Sequence, residues 1–163
     1  MGGIALSLAA LVLALPGGAR LVASHGVRLT VPDAWSQVVP TPSAIVDPLT
    51  VLVVGTRGVR DDLTSSCQVA AYRVPARGAV VVVVAWRTAT SGGGHLPPGR
   101  ARLRRLRAVS RPSFECYSGR GAAEQVVLGG KAYQVNVLVG DRASRRLVTQ
   151  ALVVARSFDL LRR

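Results

Sequence analysis

The sequence predicts an α+β domain: a mostly antiparallel sheet of six to seven strands with one C-terminal amphipathic helix packed on a face. Three observations predict it. Short apolar stretches with strand-like patterning recur along the chain, a Gly129-Gly130 pair joins two of them as a hairpin, and one run of helical periodicity stands near the end. At 163 residues the chain is about one domain's worth. A hydrophobic fraction of 49% excludes intrinsic disorder. The expected layout is a leader or membrane-anchoring segment over 1–24 and a single domain over 25–163.

The leader rests on Ile4 to Leu15, a run of 12 residues broken only by Ser7. Such a run suits the apolar core of a signal peptide, whereas a spanning helix needs ~20 apolar residues. Pro16, Gly17 and Gly18 then break the helix, and small residues suited to a signal peptidase follow at Gly17/Ala19 or at Val22/Ser24. An extracytoplasmic protein, secreted or membrane-tethered, is the expectation. No Lys or Arg precedes the apolar run.

The elements follow in chain order. Val27, Leu29 and Val31 alternate with Arg28 and Thr30 as in a half-buried strand that ends at Pro32. Trp35 is expected to plug one end of the core. Residues 40–48 hold three prolines and read as a loop, and Leu49 to Gly55 is a second strand. Cys67 to Val74 reads as a third. Ala79 to Arg87 is a fourth, whose five consecutive valines imply burial on both faces and a central place in the sheet.

Residues 88–99 are loop by composition, and in 100–111 Leu103, Leu106 and Val109 recur every three residues. A short strand is expected at Phe114 to Tyr117. Gly121 to Leu128 and Lys131 to Val139 are the hairpin strands, because paired glycines satisfy the positive φ of a type I′ turn. Asp141 is expected to cap a helix running to about Phe158, with Leu147, Ala151, Val154 and Phe158 on its inner face. Arg145, Arg146, Thr149 and Arg156 point outward in the same pattern.

Cys67 and Cys116 are the two cysteines. In an oxidising compartment they are expected to form a disulfide, worth roughly 4 kcal/mol for a closed loop of about 50 residues in the chain-entropy model. With His25 and His95 they would make a zinc set spaced by 42, 28 and 21 residues, which matches no zinc-binding pattern, so no metal is expected.

The net charge is +13, from 21 basic and 8 acidic residues, and all the basic ones but Lys131 are Arg. That ratio matches the Ala, Val, Gly and Leu richness of a GC-rich coding sequence, so part of the excess reads as compositional. The local concentration is Arg100, Arg102, Arg104, Arg105, Arg107 and Arg111, with no acid among them. Six guanidinium groups in twelve residues attract polyanions. The aromatic residues that would stack exposed bases are missing from the run, so no specific nucleic acid is expected.

No catalytic site is read. The chain lacks GxSxG, SxxK and HExxH, and neither His25 nor His95 has a nucleophile context. Asp61-Asp62, Glu115 and Glu124 show no pairing motif for acid catalysis, and TSGGGH and GRGAAE are incomplete phosphate loops. No cofactor is expected.

VPDAW at 31–35, VVLGGKAYQVNVLVG at 126–140 and ALVVARSF at 151–158 together resemble the small exported actinobacterial domains with a PsbP-like arrangement. The resemblance covers about a third of the mature chain, and it implies a non-catalytic accessory or binding domain. The combined expectation is an exported envelope domain, read as a monomer, whose segment 100–111 contacts anionic lipid or wall polymer. The alternative is an intracellular nucleic-acid-binding protein using the same segment.

Overall fold

In the computed structural model, which describes residues 18–40, 45, 47–65, 67–90, 95–110 and 119–162, ten strands form three antiparallel sheets beside one α-helix. β1 (Ala19–Ser24) and β2 (Val27–Pro32) make a hairpin around His25-Gly26. Both turn residues have positive φ, 49° and 78°, the requirement of a two-residue type I′ turn. Residues 19–24, assigned above to the leader, are thus a strand of the domain, with Val22 buried against the core. β2 buries Val27, Leu29 and Val31, as the alternation predicts.

Pro32 has no N–H to continue the ladder, and the chain crosses to the main sheet as β3 (Trp35–Gln37). Trp35 is buried, and its indole N–H donates to Gln150 Oε1 at 3.2 Å. Arg20 Nη2 donates to the Trp35 carbonyl at 2.7 Å, tying β1 to that corner. The main sheet continues through β4 (Leu49–Thr56), then leaves it for the small pair β5 (Arg60–Asp61) and β6 (Tyr72–Arg73), and returns as β7 (Ala79–Ala85). After a 3₁₀ turn at Ala101–Arg105 come β8 (Arg120–Leu128), β9 (Lys131–Val139), α1 (Arg145–Arg156) and β10 (Asp159–Leu160).

The main sheet has order β3-β4-β7-β9-β8, five strands rather than six to seven. The difference arises because β2 pairs with β1 and β10 in a sheet of its own and β5-β6 stands apart. The five valines of β7 are central, as expected. Val81 and Val83 join the larger core with Ala151, Val154 and Phe158 of the helical side. Val80, Val82 and Val84 join a second core with Ala71 and Tyr72 from the β5–β6 excursion. Tyr133 and Phe158 meet at a ring-centroid distance of 5.2 Å in the larger core. The Gly129-Gly130 turn has φ of 55° and 76°, so the predicted hairpin stands.

Two expectations are corrected. The third strand shrinks from Cys67–Val74 to Tyr72–Arg73, because the preceding stretch satisfies its polar groups locally. Asp62 Oδ1 accepts from Thr64 N and Thr64 Oγ1, Cys67 N donates to Ser65 Oγ, and no ladder is needed. The helix starts at Arg145, not at Asp141: Ser144 is its cap, with Oγ accepting from Leu147 N at 3.2 Å. Residues 140–143 are held in a turn instead, by Ala143 N to Gly140 O and by Arg142 N to Ala76 O. The strand expected at Phe114 to Tyr117 lies outside the described residues, as do Cys116, Glu115 and Arg111.

Gly140 is the closest backbone approach in the domain. A Cβ there would collide with the carbonyls of Pro75 and Ala76, which are backbone and cannot swing away. Gly140→Ala is expected to lower stability by about 1–3 kcal/mol, the usual cost of overpacking. Urea unfolding followed by Trp fluorescence checks this, and an unchanged midpoint would refute the close approach.

Candidate anion-binding site

A 3₁₀ helix has three residues per turn, so positions three apart lie on one line. Leu103 and Leu106 lie on such a line and are both buried in the larger core. Arg104, Arg105 and Arg107 are therefore turned outward, and all three are exposed. Arg107 Nε donates to the Arg104 backbone carbonyl at 3.1 Å, which holds the Arg107 side chain against the outer side of the turn.

The segment is pinned at both ends to β8, the edge strand of the main sheet. Gly99 N donates to Val127 O at 2.9 Å, and Ser110 and Gly121 exchange backbone hydrogen bonds at 2.9 and 2.7 Å. The result is a strap beside an edge that would otherwise present unpaired backbone groups. Arg156 Nη1 ties α1 to the strap through the Leu106 carbonyl at 2.7 Å, so Arg156, expected to point outward, instead packs inward.

The five described arginines of the run, Arg100, Arg102, Arg104, Arg105 and Arg107, divide by what they touch. Arg100 donates through Nη1 to Asp159 Oδ2 at 3.2 Å and through Nη2 to the Arg156 carbonyl at 3.0 Å. Asp159 Oδ2 also accepts from Arg28 at 3.4 Å, which joins the strap, β2 and β10 at one carboxylate. Arg102 pairs with Glu124 at 2.7 Å, and its Nε also reaches the Gln125 carbonyl at 3.1 Å. Arg100 and Arg102 are thus engaged in holding the strap. Arg104, Arg105 and Arg107 have no carboxylate partner among the described residues.

The other polar candidates lie elsewhere. His25 sits exposed in the β1–β2 turn, with Nδ1 at 2.7 Å from Ser24 Oγ and 3.2 Å from the Val51 carbonyl. That contact resembles a serine–histidine pair, but among the described residues no carboxylate bonds to the ring. His95 lines an open depression of about 300 Å³ with Ala89, Thr90, Leu96 and Pro97. Asp62 binds Arg73 at 3.2 Å, and that guanidinium together with the Thr64 hydroxyl lowers its carboxyl to about 2. Tyr72, buried in the second core and facing the charge of Asp61, has its phenol pushed well above its usual range. Among the described residues no group of His, Cys, Asp and Glu is arranged to hold a metal ion. No helix among them is long and apolar enough to cross a membrane.

No family model matches the chain, and no curated protein is similar to it. The sequence reading gave Asp159, Arg28 and Arg156 no part in the site, yet they anchor the strap from more than 45 positions away. The local signal was slight: Asp159 is the one acid after α1, set beside a basic terminus.

The division within the run is open to measurement. Arg102→Ala leaves Glu124, whose side chain is 11% exposed, without its partner and is expected to cost about 1–3 kcal/mol. Arg104→Ala and Arg105→Ala are expected to stay within about 0.5 kcal/mol of the parent. Equal effects at Arg102 and Arg105 in thermal denaturation would overturn the division.

Proposed function

We propose that this chain is an exported, non-catalytic accessory or binding domain of the cell envelope, which meets anionic lipid or wall polymer through Arg104, Arg105 and Arg107. The observation that carries the reading is the exposure of those three arginines on the side of the segment away from buried Leu103 and Leu106, with no acidic neighbour in the run. A rigid cationic surface of this kind binds by counterion release and electrostatic attraction, at about 1 kcal/mol per basic residue near an anionic surface. The apolar run Ile4 to Leu15 supports the export half of the reading, and the PsbP-like resemblance agrees with it. Nucleic acid is disfavoured, because the run 100–111 holds no aromatic residue on which exposed bases could stack.

The triple variant Arg104→Glu, Arg105→Glu, Arg107→Glu is the direct test, since Arg100 and Arg102 are left to hold the strap. Cosedimentation of the full chain with phosphatidylglycerol vesicles and with isolated wall polymer at low salt is expected to show loss of binding in the variant. Binding equal to that of the parent would remove the strap from the proposal.

Export adds a second expectation. Cleavage after Ser24 would remove β1 and with it buried Val22, whereas cleavage after Ala19 keeps Val22 and all of β1 but its first residue. The mature protein is therefore expected to begin at Arg20. Cys67 and Cys116 are proposed as a disulfide in the same compartment, closing the loop that contains β7. Intact mass of the exported protein, after thiol alkylation under denaturing, non-reducing conditions, reads both at once. A chain starting at His25, or one carrying alkylated thiols, would overturn the corresponding half.

A further inference from the structure

The arginine-rich run is not where most of the unpartnered exposed charge collects. Three turns meet at the end of the domain where α1 begins. Thr56 to Val59 closes with Val59 N to Thr56 O at 3.1 Å, and Pro75 to Gly78 with Gly78 N to Pro75 O at 2.7 Å. The third, Gly140 to Ala143, closes at 3.0 Å. Arg142 N to Ala76 O at 2.7 Å and Gly140 N to Gly78 O at 2.9 Å fasten the second turn to the third. Thr56 Oγ1 accepts from Ala79 N at 3.0 Å, and a Cβ at Gly58 would lie 3.2 Å from the Pro75 ring, so the first turn abuts the second.

Arg57, Arg77 and Arg142 project from these three turns, and Arg145 and Arg146 follow in the first helical turn. All five are exposed, and no side chain among the described residues pairs with them. One acid, the exposed Asp141, stands among them.

We propose that this end of the domain, Arg57, Arg77, Arg142, Arg145 and Arg146, is a second binding surface for a linear anionic polymer, one carrying repeated phosphate or carboxylate groups. Guanidinium groups bind both groups bidentately. The strap lies at the far end of α1, whose 12 residues span about 18 Å. One small anion cannot touch both surfaces, but a chain of charges laid along the helix can. The exposed large apolar side chains, Leu21, Val39, Ile45, Leu49, Leu63 and Leu161, all lie outside these turns. Among the described residues these turns carry no exposed large apolar side chain to enter an acyl layer, which favours a polymer over a bilayer. The inference rests on the reading of the domain as an anion binder; reaching along α1 uses the strap, but the five arginines form this surface without it.

The test uses the full chain, long-chain polyphosphate and tripolyphosphate as probes, and vesicles of phosphatidylglycerol and phosphatidylcholine as the competing surface. The parent is expected to bind the long chain at least tenfold more tightly than tripolyphosphate. The variant Arg57→Gln, Arg77→Gln, Arg142→Gln, Arg146→Gln is expected to lose at least tenfold in affinity for the long chain. The slope of log affinity against log salt should also flatten by about 3, at about 0.7 per neutralised contact. Its melting temperature is expected to equal or exceed the parent's, which separates lost binding from lost folding. Polymer affinity within twofold of the parent would overturn the proposal, as would binding to vesicles but not to polyphosphate. The strap variant run alongside keeps the two surfaces apart: if it loses binding while the four-Gln variant does not, the strap stands and this surface falls, and the reverse result removes the strap alone.

Discussion

The structure depends on one constraint: β7 is a strand of branched apolar side chains that must be covered on both faces. Val81 and Val83 point one way and Val80, Val82 and Val84 the other, and each set is fully enclosed. An antiparallel sheet can leave one face to water, but this one cannot, because its middle strand has no polar side. Two coverings follow. On one face lie α1 and the β1-β2-β10 sheet, with Trp35 and Phe158 among the largest enclosed side chains. On the other lies the excursion between β4 and β7, which brings Ala71 and Tyr72 into one core with Val80, Val82 and Val84. The excursion needs only a two-residue ladder, since its task is to cover the face and not to extend the sheet.

The second organising fact is the scarcity of carboxylates in a chain of net charge +13. With 8 acids against 21 basic residues, most guanidinium groups must do without an acidic partner. The pairs that do form stand where distant segments have to be joined. Glu124 holds the strap to β8, Asp159 joins the strap to β2, and Asp62 closes the turn before β6 through Arg73. Partly buried pairs of this kind position segments more than they stabilise the whole. The arginines left over stay at the surface, gathered by sequence in the strap and by the meeting of turns at the start of α1.

Most of the fold was legible because its signals are local. The β7 valines, the alternation of Val27, Leu29 and Val31, the double-glycine hairpin and the apolar face of α1 each act within ten residues and survive into the structure. Period three at Leu103 and Leu106 was visible, and it matches a 3₁₀ turn. The division into sheets was not legible, because whether β2 joins β3 or β10 depends on a crossing at Pro32 that no local pattern announces. β1 was hidden by its neighbour: the apolar run before it reads as a leader and carries the eye past His25-Gly26, a turn pair of the same kind as Gly129-Gly130. Within the site, six arginines were legible as a cluster, but the division of the five described ones into those paired with a carboxylate and those not was hidden. It depends on Asp159 and Glu124, which sequence distance separates from the run.

The same reasoning explains why five arginines at the start of α1 escaped the sequence altogether. They are drawn from three stretches centred near residues 57, 77 and 144, none of which is a charge run by itself. What assembles them is backbone: Gly78 and Gly140 allow the turns to approach closely enough for peptide groups to bond directly, where a side chain at Gly140 would hold them apart. Two of the five stand in the first turn of α1, where the helix macrodipole disfavours positive charge and where no acid offsets it. That placement is unfavourable for the isolated helix. The domain tolerates it because α1 is held by its buried face against β7 and β9 and by the Ser144 cap, and needs little help from its charges. A core this apolar therefore leaves the surface free to carry a charge pattern that folding alone would not choose.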